Sequence, residues 1–299
     1  MTGLSKEQLD TFNKEGMLCI PDFLTQEQTK TLLNQSKTLI NQCDLTNHPK
    51  TTFKTSNEDH IGDKYFYESA DKISYFFDVD AFNEDGELAV PLNQAINKIG
   101  HGLHLQDPIF KEITFSPRIK NIAKDLDYKD PKVLQSMLIF KHSKSSQEDR
   151  DNAVPPHMDS TFLYTSPKQS ALGFWIALED CNLKNGCLSY IPGSHLTQKV
   201  TKRFIRSNGL NSGCKFEQLE NEEEQPIEEE YKSFECKAGS LILIHNSVLH
   251  KSEKNKSIKS RFVYAFHLID GITEYDEKNW LQIPYTGGNE FSKLYEVTV

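Results

Sequence analysis

Apolar residues along this chain recur with two different periods. In the first part the spacing is three and four residues. Leu9 and Phe12 share one face of a segment from Leu4 to Gly16 that Ser5 can cap, which predicts a short helix. Met17-Leu18-Cys19-Ile20 reads as a short strand that ends in a turn at Pro21. Thr25-Gln26-Glu27-Gln28 has the make-up of a capping box and predicts the start of a second helix. Leu32, Leu33, Leu39 and Ile40 give that helix an apolar face as far as about Cys43. Residues 44 to 72 are polar and without periodicity, a predicted long loop, and Ile73 to Phe82 is apolar and rich in aromatics. Leu92 to Leu105 predicts a helix with Ile96, Ile99 and Leu103 on one side. Lys98 and His101 lie on the same segment, and composition alone leaves both facing solvent. Pro108 to Leu126 predicts a helix pair broken at Pro117.

Near Pro131 the pattern changes. Val133 to Lys141, Ala171 to Leu178, Leu241 to His245 and Arg261 to Ile269 are short, nearly continuous apolar runs, the mark of buried strands. His142 to Val154 is charged and Ser-rich, a predicted loop. Asn185-Gly186 is a turn signal of the hairpin kind, followed by a strand and turn over Cys187 to His195. Lys199 to Glu230 is polar and acidic, with Glu222 to Glu230 a solvated surface loop. Short strands separated by turn signals predict a β-sandwich or jelly roll. The expectation is a mostly β protein with flanking helices: a single domain over 1–299, with a mainly helical brace over 1–130 and a jelly-roll core over 131–299.

Length, charge and cysteines narrow the function classes. The 299 residues suit one large domain or two small ones. A net charge of −9 argues against nucleic-acid binding, which needs clustered positive charge. No apolar run approaches eighteen residues, so no membrane-spanning helix is expected. The first residues carry no apolar signal core, and Val297-Thr298-Val299 is not a Ser-Lys-Leu type address, which together lead us to expect a cytoplasmic protein. None of the six cysteines forms a Cys-x-x-Cys pair, and we expect reduced, mostly core thiols.

Candidate chemistry centres on Pro155-Pro156-His157-Met158-Asp159. In an extended strand, side chains two apart leave the same face, so His157 and Asp159 would stand side by side. Two histidines and one carboxylate form the usual facial set for non-haem Fe(II) that activates oxygen, with positions left for a co-substrate and O2. A surface pair in a loop is the plain alternative. A jelly roll brings distant strands to one mouth, so a third ligand should come much later, and His245 and His250 both qualify. Arg261 lies eleven residues past His250 and opens the next strand, where its planar fork can hold a carboxylate through two bonds.

His157-x-Asp159, His250 and Arg261, in this order, resemble the iron- and 2-oxoglutarate-dependent dioxygenases. Trp175-Ile176-Ala177-Leu178-Glu179-Asp180, Asn185-Gly186-Cys187-Leu188 and Ile191-Pro192-Gly193-Ser194-His195 resemble the phytanoyl-CoA dioxygenase family within that group. The likeness runs from the first helix to Trp280. It implies that His157, Asp159 and His250 are catalytic iron ligands, with His245 a rival for the last place. It implies further that Arg261 clamps 2-oxoglutarate, that Ser252 adds a hydroxyl to the same carboxylate, and that Met137 and Trp175 wall the co-substrate pocket. Lys98 matches a family position facing the co-substrate, and His195 reads as structural. The implied cofactors are Fe(II), 2-oxoglutarate and O2, and the implied activity is hydroxylation of a small-molecule substrate with succinate and CO2 as co-products.

Three other readings share some of these residues. Halogenases of this fold need a small residue where Asp159 stands. A cupin-type metal enzyme that does not use 2-oxoglutarate would have no use for Arg261. A 2-oxoglutarate-binding pseudoenzyme or sensor would keep every one of them. The loop from Ser143 to Asn152 is longer and more charged than the family core needs, a candidate lid or substrate selector. The missing peroxisomal address puts an acyl-CoA substrate in doubt.

Overall fold

The computed structural model describes residues 3–52, 64–142, 152–207, 213–219 and 230–295. Helix α1 (Lys6–Glu15) opens on a capping box: Ser5 Oγ accepts the Gln8 N–H at 3.1 Å, and the Gln8 side chain accepts the Ser5 N–H at 2.9 Å. Gly16 closes the helix in the left-handed region at φ 79° and turns the chain into β1 (Met17–Ile20). Thr25 and Gln28 repeat the device for α2 (Gln26–Asn41), which buries Leu32, Leu39 and Ile40. Next come α3 (Lys64–Tyr67), β2 (Ile73–Phe77), α4 (Leu92–Ala95), β3 (Ile96–His101) and α5 (Leu103–Gln106). Helices α6 (Pro108–Thr114) and α7 (Pro117–Asp125) each carry proline in the first turn, where a missing N–H leaves no bond unmade.

Strands dominate the remainder. They are β4 (Pro131–Lys141), β5 (Val154–His157), then after the turn α8 (Asp159–Phe162), β6 (Thr165–Ser166), β7 (Leu172–Ala177) and β8 (Leu188–Tyr190). After α9 (Ser194–Thr197) follow β9 (Lys202–Arg206), β10 (Cys214–Gln218), β11 (Lys232–Phe234) and β12 (Leu241–His245). The chain ends with β13 (His250–Ser252), β14 (Arg261–Asp270), β15 (Glu274–Tyr275) and β16 (Ser292–Lys293).

Twelve of these strands form the two antiparallel sheets of a jelly roll, while β9 with β10 and β6 with β15 pair separately as two-stranded ribbons. The larger runs β1-β12-β7-β14-β4-β3-β2, with β16 paired to β4; the smaller runs β11-β8-β13-β5. Side chains alternate across the larger sheet. On its outer face Leu138, Phe174, Leu243 and Tyr264 pack with helix residues such as Phe12, Leu32 and Ile122. On its inner face Met137, Trp175, Ile242 and Val263 meet Leu188 and Tyr190 of the smaller sheet. The register sets the inner residues in rows: Gln135, His267 and Gly173; then Met137, Ala265 and Trp175; then Ile139, Val263 and Ala177; then Lys141 and Arg261. All six cysteines are free thiols.

Three expectations change. Leu92 to Leu105 is not one helix: β3 occupies its centre, with Lys98 paired to Ile139 and Ile99 to Leu138. The spacing of Ile96, Ile99 and Leu103 suits a helix, but ladder bonds to both β2 and β4 outweigh a helical tendency that Asn97 and Gly100 already weaken. Lys98 and His101 are therefore 4% and 1% exposed rather than facing solvent. The polar stretch from Lys199 also carries structure, since β9 and β10 pair with Phe204 opposite Phe216. One apolar face is enough to seat such a ribbon even when charges fill the other. Asn185-Gly186 does not close a hairpin either: β7 belongs to the larger sheet and β8 to the smaller, so this turn carries the chain between sheets. The expected loop from Ser143 and the acidic run from Glu222 lie outside the described residues, apart from Asn152 and Glu230 at their ends.

Candidate active site

His157 ends β5 and Asp159 opens α8, with the backbone at Met158 between them still extended at φ −113° and ψ 139°. That extended backbone sets both side chains on one face, as the two-residue spacing leads one to expect. His250 opens β13 and stands directly opposite His157 in the β13–β5 ladder. Asp159 Oδ1 lies 3.8 Å from His157 Nε2 and 3.7 Å from His250 Nε2. The far nitrogens are both held by the backbone, His157 Nδ1 at 2.9 Å from Pro155 O and His250 Nδ1 at 3.0 Å from Val248 O. A carbonyl can only accept, so each Nδ1 carries the proton and each Nε2 turns a lone pair towards Asp159. Among the described residues this trio is the one group of three such side chains that could hold a metal ion.

The electrostatics suit a cation. Burial drives the Asp159 carboxyl pKa up, but His267, His250 and His157 around it pull harder, and the net shift is well below the ordinary value. Burial, and then His250 beside it, bring His157 down to about 4. At neutral pH Asp159 is thus a carboxylate and His157 a neutral imidazole, the forms that bind metal. Asp159 Oδ2 is buried with no hydrogen-bond partner. Two imidazole nitrogens and one carboxylate oxygen are a donor set that divalent first-row metals accept.

The trio opens on a cavity of about 200 Å³ between the two sheets. Arg261, Met137, Trp175, Ser252 and Lys98 all line it. Arg261 is 1% exposed, and its Nε has no hydrogen-bond partner. No carboxylate among the described residues forms an ion pair with it. Burial lowers its pKa, but arginine starts so far above neutrality that it stays charged. A buried cation with no ion-pair partner is costly unless an anion completes it. Ser252 lies near the same end, its carbonyl accepting Lys141 Nζ at 3.1 Å. Lys98 Nζ sits over the rings of Phe76 and Phe66, at 5.2 and 5.9 Å, and burial pushes its pKa well below the usual lysine range.

His245 takes no part in this cluster. Its ring lies 4.5 Å from that of His195 and 6.0 Å from that of Phe12, away from the cavity lining. His195 holds Asn13 O through Nε2 at 3.0 Å, which ties α9 to α1. Sequence reasoning missed His267, Gln135 and Lys141, which also line the cavity. The signal was there: with Met137 and Arg261 placed inside, the two-residue period puts Gln135 and Lys141, and His267, on the same face. Beyond the trio the wall turns aromatic, with Phe162, Phe204, Phe216 and Trp280. The residues that form this wall come partly from the β9–β10 ribbon, in a stretch whose sequence was read only as polar and acidic.

Fold and site together define a jelly-roll protein with a two-histidine, one-carboxylate centre. The chain belongs to the phytanoyl-CoA dioxygenase (PhyH) family, whose pattern its residues 12–263 match. It is 39% identical over 290 residues to the phytanoyl-CoA dioxygenase domain-containing protein 1 homolog of Caenorhabditis elegans, covering 96% of this chain and 98% of that one. It is 43% identical over 281 residues to a phytanoyl-CoA dioxygenase of Arabidopsis thaliana, covering 93% and 94%. In fold it is similar to the epimerase SnoN in complex with Fe3+, alpha ketoglutarate and nogalamycin RO, with a TM-score of 0.63 at 15% identity, covering 97% and 98%. It is also similar to EctD from S. alaskensis with 2-oxoglutarate and 5-hydroxyectoine, with a TM-score of 0.59 at 16% identity, covering 92% and 79%. Family membership supports an oxidoreductase. Among the described residues no helix is long and apolar enough to cross a membrane.

Proposed function

We propose that this protein is an Fe(II)- and 2-oxoglutarate-dependent dioxygenase. It converts 2-oxoglutarate and O2 to succinate and CO2 while hydroxylating a small molecule. The observation that carries this reading is one cavity holding both the His157–Asp159–His250 trio and the buried Arg261, with which no carboxylate among the described residues forms an ion pair. A metal enzyme with no dicarboxylate to bind would gain nothing from that arginine.

In this reading His157, Asp159 and His250 hold the iron. Arg261 takes the distal carboxylate of 2-oxoglutarate with Ser252 beside it, Met137 and Trp175 wall the molecule, and Lys98 closes the polar side. When bound, iron with its co-substrate supplies the oxygen activation that no side chain can perform. The protein's own work is to orient the co-substrate and keep water out. The aromatic wall of Phe162, Phe204, Phe216 and Trp280 then receives the second substrate, a small molecule with apolar surface. The chain acts as a single catalytic domain, and we place it in the cytoplasm, with neither nucleic acid nor membrane as partner.

The test is succinate formation by the purified protein with Fe(II) and 2-oxoglutarate, alone and across a panel of metabolites. The expected result is a basal rate that one class of metabolite raises. Binding of 2-oxoglutarate with no succinate under any condition would replace the enzyme with a sensor. Binding of metal with none of 2-oxoglutarate would leave only a generic metal protein.

A further inference from the structure

One half-buried group beside the trio has no part in the reading above. His267 faces the cavity from β14, with its Nε2 3.5 Å from Asp159 Oδ2. On its other side His267 Nδ1 lies 3.3 Å from the Gln135 side-chain nitrogen. Gln135 and His267 are directly paired across β4 and β14, and His267 is paired with Gly173 across β7. Gly173 is where Asp159 approaches the sheet: a Cβ there would stand 3.0 Å from Asp159 Oδ2 and 3.1 Å from Ile244 Cβ. Three strands thus supply an amide, an imidazole and a gap, in one row beneath one carboxylate.

We propose that His267 is a positioning residue for the metal centre, fixing Asp159 as a ligand through Oδ1 alone. The inference rests on the metal-binding part of the reading above and not on 2-oxoglutarate. Its logic is one of donors and acceptors. The Gln135 amide nitrogen can only donate, so His267 Nδ1 accepts and the ring proton resides on Nε2. That places the protonated nitrogen 3.5 Å from Oδ2, a buried oxygen with no hydrogen-bond partner. A separation of 3.5 Å is at the outer limit of a hydrogen bond, and a small turn of the carboxyl about its Cβ–Cγ bond closes it. With Oδ2 held by His267, Oδ1 is left facing the two histidine Nε2 atoms. The carboxylate then cannot swing to take the metal through both oxygens, which leaves coordination room on the cavity side. Outer partners of this kind typically contribute about 10–100-fold to metal affinity.

The experiment titrates the metal-free protein with Co(II), read by visible absorption, which reports affinity and coordination number without turnover. His267→Phe, which keeps ring volume but loses the N–H, should weaken Co(II) binding by about 10–100-fold and alter the spectrum. His267→Gln, whose amide nitrogen reaches the place of Nε2, should restore most of the affinity. Gln135→Leu should weaken binding with His267 intact. Gly173→Ala should weaken it by displacing Oδ2. Thermal melting of each metal-free variant separates loss of fold from loss of ligand geometry. If His267→Phe does not fold, the Gln135→Leu and His267→Gln pair decides. The idea is overturned if His267→Phe, or in its absence Gln135→Leu, binds Co(II) like the unchanged protein with the same spectrum. It is equally overturned if His267→Gln loses as much as His267→Phe or, when His267→Phe does not fold, weakens Co(II) binding at least as much as Gln135→Leu. An unchanged protein that takes up no Co(II) defeats the metal reading itself. One that takes up Co(II) but does not consume 2-oxoglutarate defeats the proposed activity and leaves this inference standing.

Discussion

The Arg261 guanidinium lies over the Trp175 indole, with 5.4 Å between its central carbon and the ring centroid. The contact fixes a long cationic side chain against a flat apolar wall of the cavity, so little freedom remains to be lost when an anion arrives. Arg261→Lys keeps the charge but loses both the planar fork and this stacking. It should raise the KM for 2-oxoglutarate at least about tenfold, or roughly 1.4 kcal/mol, with metal binding little changed. Arg261→Ala should be worse. Succinate formation against 2-oxoglutarate concentration, beside a metal titration of each variant, checks it. An unchanged KM in Arg261→Ala would move the clamp elsewhere, with Lys98 next in line.

His250 and His245 make a matched pair of controls. His250→Ala removes a nitrogen 3.7 Å from Asp159 Oδ1 and should reduce metal affinity by more than the roughly 10–100-fold expected of an outer partner. His245→Ala removes a ring that packs on His195 and should leave metal affinity within about threefold. Isothermal titration with a divalent metal tells them apart, and a reversed order would show that the wrong histidine has been assigned.

Acid should destabilise the fold through buried histidines. Burial, and then the charge of Lys111, lower His104 to about 3, and its Nδ1 is 2.7 Å from Ser136 Oγ. In the unfolded chain the same group titrates near 6.5. Between those values the unfolded state binds the extra proton, so stability is level above pH 7 and falls as pH drops. The limiting slope is about 1.4 kcal/mol per pH unit for one such group. His245, lowered to about 4, acts in the same direction. Urea unfolding at pH 8 and pH 5 should show a smaller difference for His104→Asn than for the unchanged protein. Equal differences would mean that His104 takes up its proton in the folded state as well.

The start of α2 provides a prediction with no bearing on catalysis. Thr25 Oγ1 accepts the Gln28 N–H at 3.1 Å, and the Gln28 side chain accepts the Thr25 N–H at 3.0 Å. Thr25→Ala should destabilise the fold by about 1 kcal/mol in urea unfolding, with KM and kcat unchanged. A loss near zero would mean that the packing of Leu32 and Leu39 alone defines this helix.

Much of the fold was legible where the code is local. Ser5 and Gln8, Thr25 and Gln28, and Pro117 mark helix ends through bonds made within a few residues, and the structure has them there. The apolar runs from Val133 and Arg261 are strands as read. Failures came where a partner decided the outcome. Ile96 to His101 has a helical spacing, yet β2 and β4 make it a strand. Phe204 and Phe216 are too sparse among charges to signal a ribbon until each is seen opposite the other.

The site divides in the same way. His157 and Asp159 were readable as a pair because the chain itself limits how far apart two residues separated by one can lie. Their spacing could not say which histidine would join them, since both His245 and His250 are distant in sequence and near each other. That choice was made by strand pairing, which seats His250 opposite His157 and leaves His245 at the end of β12 against His195. The two-residue period sets His267 inside, but not its link to Asp159, which runs through a row of three strands whose order only burial and the closing of both sheets determine. Local geometry is written in covalent spacing. Which segments become neighbours is decided by the whole chain at once, when it buries its apolar faces and must satisfy every backbone bond those faces conceal.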